Sequence, residues 1–138
     1  MKEHRPLGWT TIEEAKLLVE AGLDPNTADM SYNFVVCKVI NGNPSEDWLL
    51  QPFSPDENQP HKQLPCWSLG SLIELMPKEI RINYLYALNI FTTYRNKYCV
   101  SYHSIYKNIY AESESTLIES VVNCVIWLIQ NGYIKKSE

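Results

Sequence analysis

Along the first quarter of the chain, apolar and polar positions alternate with a helical rhythm. Ile12, Ala15, Leu18 and Val19 fall on one stripe, with Glu13, Lys16 and Glu20 opposite, the pattern of an amphipathic helix. Thr11 and Glu14 form a capping-box pair at its start, and Gly22 supplies the stop. Asp24, Pro25 and Asn26 make a turn. Residues 33–40 are β-branched and aromatic, which predicts a strand. Asn41, Gly42, Asn43 and Pro44 then signal a turn, and residues 48–53 the returning strand. The proline-bearing segment 54–65 reads as a surface loop.

Ser68 caps a second helix over residues 69–76, which Pro77 ends. Period-two alternation follows. Ile80, Ile82, Tyr84, Tyr86, Leu88 and Ile90 are apolar, with Arg81, Asn83 and Asn89 between them, the mark of a half-buried strand. Residues 94–97 read as a hairpin turn and 98–105 as its return. A last helix starts near Ser115 or Thr116, with Glu119 three positions after Thr116, and stops at Asn131 and Gly132. The predicted order is α-β-β-α-β-β-α within one domain of residues 1–138. It is an α+β fold, with two hairpins in an antiparallel sheet and helices on one face.

The last helix is unusually apolar. At 100° per residue, Leu117, Ile118, Val121, Val122, Cys124, Val125, Ile126, Leu128 and Ile129 span about 200°, more than one core-facing stripe needs. Thr116, Glu119, Ser120, Asn123, Gln130 and Asn131 form the polar stripe, and Trp127 falls in its middle. Two readings fit. Trp127 is an exposed interface residue, or the helix is central and Trp127 lies under a loop. The first predicts self-association, most simply as a dimer.

Charge changes the picture in one region. The chain carries net −4, yet residues 80–111 contain no Asp or Glu and hold Arg81, Arg95, Lys97 and Lys107. The same stretch contains Tyr84, Tyr86, Phe91, Tyr94, Tyr98, Tyr102, Tyr106 and Tyr110. Tyr98, Tyr102, Tyr106 and Tyr110 recur every fourth residue, which puts them on one face of a strand. With Arg95, Lys97 and Lys107 beside them, such a stripe stacks bases and holds phosphates. It is equally what a tyrosine-rich sheet face packed on the last helix looks like. Net −4 speaks against coating DNA generally.

No catalytic constellation is visible. Cys66 stands at the mouth of the second helix, where a helix dipole lowers a thiol pKa, with His61 five residues upstream. A structural thiol before a Trp anchor is the simpler account. His4, His61 and His103 are dispersed without ligand spacing, and no phosphate-cradling glycine pattern occurs. Neither a metal nor a cofactor is expected. Cys37, Cys66, Cys99 and Cys124 are widely spaced and read as buried free thiols of a reducing compartment. Without a signal-like or membrane-spanning run, the expected location is cytoplasmic, with no membrane partner.

Three blocks carry a resemblance. They are residues 11–30 (Thr-Ile-Glu-Glu-Ala-Lys-Leu-Leu, then Gly-Leu-Asp-Pro-Asn-Thr-Ala-Asp-Met), residues 65–77 (Pro-Cys-Trp-Ser-Leu-Gly-Ser-Leu-Ile-Glu-Leu-Met-Pro) and residues 122–133, with Trp127-Leu128 and Asn131-Gly132. In that order they resemble an uncharacterised family of small proteins from gut Bacteroides-type bacteria and their phages and mobile elements. The resemblance implies a genomic setting and no chemistry. The expectation is a non-catalytic interaction protein with an accessory role in phage or mobile-element biology, acting on a partner protein or by self-association. The alternative is a nucleotide or single-strand nucleic-acid binder using hairpin 94–110, with Arg95, Lys97, Tyr98, Tyr102, Tyr106 and Lys107 as ligand contacts.

Overall fold

The computed structural model describes residues 8–37, 45–52 and 63–137; for residues 35–37 and 45–48 it describes the backbone alone. Helix α1 spans Ile12–Ala21. Thr11 Oγ1 accepts from Glu14 N and Glu14 Oε1 accepts from Thr11 N, closing the expected capping box. Gly22 ends the helix in the left-handed region, at φ 105. Asp24 then caps a short 3₁₀ turn, Pro25–Thr27, by accepting from Asn26 N.

Strands β1 (Met30–Cys37) and β2 (Ser45–Pro52) pair antiparallel, with Met30 opposite Pro52 and Cys37 opposite Ser45. The Asn-Gly-Asn-Pro turn lies outside the described residues. Strand β3 (Gln63–Cys66) adds to the other edge of β1, within the span read from sequence as loop. Pro65 obscured it, but proline is tolerated on an edge strand, where one side of the backbone needs no partner. Helix α2 (Leu69–Leu75) follows, with Ser68 as the expected cap accepting from Ser71 N.

A second sheet has the order β4-β5-β6-β7. It comprises β4 (Glu79–Arg81), β5 (Leu85–Thr92), β6 (Tyr98–His103) and β7 (Asn108–Glu114). The class is α+β with three helices and antiparallel hairpins, as expected; the hairpins are distributed over two sheets. The alternating run from Ile80 to Ile90 is not one strand but two. Ile80 pairs with Tyr86 across a tight turn at residues 82–84, where Ile82 N donates to Tyr84 O. The fold-back keeps Ile80, Tyr86, Leu88 and Ile90 on one face, so alternation survives it undetected. Strand β7 was not anticipated.

Helix α3 (Leu117–Gln130) is the centre of the molecule. Strands β6 and β7 pack on one side of it, and α1 and α2 on the other. Ile118, Val121, Val122, Cys124, Val125, Leu128 and Ile129 are all buried, which accounts for the wide apolar arc. Ser120, placed on the polar stripe by the helical wheel, is fully buried too. Its hydroxyl donates to Tyr98 O and accepts from Glu114 N, fastening the first turn of α3 to β6 and β7. Buried polar groups survive only with such partners.

The three-stranded sheet joins this core around Trp67. The ring is fully buried and its Nε1 donates to Thr27 Oγ1 at 2.9 Å, while its backbone exchanges bonds with Thr10. Loss of a fully buried indole costs about 3–5 kcal/mol. Trp67→Ala is expected to lose that much in urea unfolding, and a loss under about 1 kcal/mol would contradict the anchor.

Candidate functional site

The ligand stripe expected over residues 94–110 is not assembled. Strand β6 is six residues long and a turn intervenes at residues 104–107, where Ser104 Oγ accepts from Tyr106 N and Lys107 N. Arg95, Lys97 and Tyr98 therefore lie at one end of the four-stranded sheet, and Tyr106 and Lys107 lie at the other, roughly 20 Å away. Between them Tyr102 is fully buried. Its hydroxyl donates to Pro77 O at 2.6 Å. Tyr110 is on β7, also buried, and its hydroxyl has no hydrogen-bond partner among the described residues. Burial pushes both phenols above their ordinary range.

Trp127 is half-buried and packs against the core, so it is no isolated surface ring. It stacks between Tyr110 at 4.9 Å, Tyr133 at 5.6 Å and Tyr102 at 6.2 Å between ring centroids. It shares its stripe with the exposed Asn123 and Gln130, and the segment that folds back after Gly132 brings Tyr133 against it. The apolar arc and the ring that motivate self-association thus both have neighbours within the chain.

At the β5–β6 end, Tyr94, Arg95, Lys97, Thr93 and Ser113 line a shallow groove of about 400 Å³. The Arg95 guanidinium sits 5.9 Å from the Tyr94 ring centroid, within cation–π range. Asn96 makes the turn possible in the left-handed region, at φ 58. Strand β7 brings Glu114 opposite Tyr98 and Glu112 opposite Val100, carboxylates that lie just beyond the acid-free stretch in sequence.

At the opposite end, two turns meet. Residues 82–84 join β4 to β5, and residues 104–107 join β6 to β7. Ile105 is 91% exposed, Tyr106 71%, Ile82 53%, Tyr84 47% and Leu85 42%. The Tyr84 and Tyr106 rings touch, with centroids 5.0 Å apart. Arg81 and Lys107 flank them, both exposed. Of these residues, the sequence reading singled out Tyr106 and Lys107 alone as contacts; it placed Ile82 and Tyr84 in a strand. A signal for the turn existed in Asn83, whose type favours turns over strands.

The thiol chemistry considered for Cys66 has no basis in its surroundings. Burial pushes the Cys66 thiol up, against hydrogen bonds with Thr10 and Tyr32 that lower it. Cys99 and Cys124 are buried free thiols as well, with Cys124 pushed up to about 12 by burial. A thiol held protonated in this way is a poor nucleophile. The side chain of Cys37, and His4 and His61 entirely, lie outside the described residues. Among the described residues no three His, Cys, Asp or Glu side chains gather as a metal would require. The helix α2 entrance is instead closed by Asp29, whose carboxylate accepts from Ser68 N at 2.8 Å and from Ser68 Oγ.

Against models of known protein families, curated proteins and solved structures, the chain has no match.

Two expectations follow from this geometry. Tyr102→Phe removes the hydroxyl that donates to Pro77 O and is expected to cost about 1 kcal/mol in urea unfolding, whereas Tyr110→Phe removes a buried hydroxyl without a partner among the described residues and leaves stability unchanged or higher. Equal losses in both would contradict these roles. Asp29 supplies the pH dependence. Burial raises its pKa, but the bonds from Ser68 and its neighbours together outweigh this and hold it below the ordinary 3.8. A depressed folded-state pKa contributes stability above the ordinary value, and the contribution is lost as pH falls through the lowered folded value. Asp29→Asn is therefore expected to lower the melting temperature near neutrality, with the deficit closing in strong acid. A deficit independent of pH would contradict the carboxylate's role.

Proposed function

We propose that the protein acts by binding a partner protein, without catalysis of its own, through the end of the four-stranded sheet. The observation that carries this reading is the cluster of Ile82, Tyr84, Leu85, Ile105 and Tyr106, five large apolar side chains exposed on two turns that meet at the Tyr84–Tyr106 ring contact. Single exposed apolar residues are commonplace, but a contiguous group on a monomer's surface marks a site that something covers. Burying one such side chain is worth about 1.5–3 kcal/mol. The part of these side chains left exposed gains nothing in folding, so its share of that free energy is available for docking. The Tyr84–Tyr106 contact holds two rings in place beforehand, which reduces the ordering cost of binding. Tyrosine and arginine are also the residues that most often dominate interfaces.

Arg81 and Lys107 set the polarity of the rim, so the surface favours a partner with an apolar recess bordered by carboxylates. An anionic bilayer is a poorer match. Each cation near such a surface contributes about 1 kcal/mol, two cations flank the cluster, and the whole chain carries net −4. The surface continues from Leu85 onto the sheet face turned away from α3, where Ala87, Asn89, Phe91 and Ala111 are exposed and uncharged. The resemblance of residues 11–30, 65–77 and 122–133 supports placing this activity in phage or mobile-element biology, as an accessory to other proteins.

A second, smaller reading attaches to the groove at Tyr94, Arg95 and Lys97. Its ring and two cations favour a compact anionic aromatic ligand such as a nucleotide.

Selection of a displayed library of random peptides on the folded protein tests the main reading. Retained peptides are expected to combine apolar residues with Asp or Glu, and to lose binding to a variant carrying Ile105→Asp and Tyr106→Asp whose melting temperature is unchanged. A selection that enriches nothing, or peptides that bind the variant equally well, would contradict it.

A further inference from the structure

We infer that a cleft beside Gly22, lined by no residue of the four-stranded sheet, binds a small amphiphilic anion, meaning one carboxylate, sulfonate or phosphate group on an apolar body. The cleft has a volume of about 540 Å³ and lies between the end of α2, the 3₁₀ turn and the segment that follows α3. That volume is within the range of roughly 300–1,000 Å³ typical of small-molecule sites.

Its construction starts at two glycines. Gly132, at φ 79, releases the chain from α3, and Tyr133 N and Ile134 N both donate back to Leu128 O. The segment then runs past the end of α1, where Ser137 N donates to Gly22 O at 2.7 Å. Gly22 has a second role beyond its left-handed φ. A β-carbon placed on it would lie 3.1 Å from Lys136 Cγ, so the missing side chain is the seat of the Lys136 stem. The lysine is thus held by its methylene groups while the residue as a whole stays exposed.

The lining divides by chemistry. Leu23, Leu75 and Ile134 make an apolar floor, and Lys135 and Lys136 stand at the edge. Asp24 is the one carboxylate among the described lining residues, and its Oδ1 is already engaged by Asn26 N. The rim therefore carries a cationic excess within a chain of net −4, which concentrates small anions locally. No aromatic side chain is among the described lining residues, so a nucleobase finds no ring to stack on. An aliphatic or simple aromatic acid uses both the floor and the rim.

Titration with anilinonaphthalene sulfonate, an aromatic sulfonate whose fluorescence rises on binding, tests this site. The expected result is saturation at one site per chain, displacement by octanoate, and affinity weakened about tenfold or more by Lys135→Glu with Lys136→Glu. Ile105→Asp, at the far end of the sheet, is expected to leave the titration unchanged. No saturable signal, or binding that survives the lysine changes, overturns the inference. So does binding that disappears with Ile105→Asp, because the dye would then be reporting the exposed apolar cluster.

Discussion

Burial of α3 on nearly all sides is the constraint on which the remaining structure depends. A helix with an apolar arc of about 200° cannot rest on a single layer. It needs one layer on each side, and here β6 and β7 provide one while α1 and α2 provide the other. The Ser120 hydroxyl then becomes the key polar contact of the interior, because it joins α3 to the backbones of β6 and β7. The aromatic residues follow from the same demand. Tyr102, Tyr110 and Tyr133 gather around Trp127, which is left half-buried beside the core. The three-stranded sheet attaches at the periphery of this arrangement, through Trp67 and Thr10.

Legibility from sequence tracked the range of the interaction. Features closed by neighbours in the chain were readable. The Thr11–Glu14 box, the Gly22 stop, the Ser68 cap and the Thr116 cap of α3 are each present as read. Features set by tertiary pairing were not. Period-two alternation reports which face a residue occupies, and it is indifferent to whether the strand continues or folds back between Arg81 and Leu85. Strand β3 hid behind Pro65, and β7 behind a polar composition that an edge strand tolerates. The wheel assigned Ser120 and Trp127 by polarity alone, without the layers that enclose α3.

The candidate sites diverged for the same reason. The basic, tyrosine-rich stretch is real in the sequence, but the turn at residues 104–107 divides it. One portion becomes core, one becomes a tip where Arg95 lies over the Tyr94 ring, and one joins Ile82 and Tyr84 in an exposed cluster. The linear pattern held no information on which tyrosine would go where. The cluster proposed for docking therefore sits on turns, held by a sheet that packs on α3, a division of labour common where loops carry recognition. The cleft beside Gly22 belongs to the other layer, so two separate surfaces share one core.

The central claim is that α3 is the last element to come apart, because both layers must separate before it is exposed. Native-state hydrogen exchange measures this directly. The account predicts that backbone amides of residues 121–128 exchange only by global unfolding, with protection at least equal to that of Val100 and Tyr102 in β6. Exchange of the α3 amides through a local opening, at lower free energy than those of β6, would contradict it and would mean that the helix is a peripheral element.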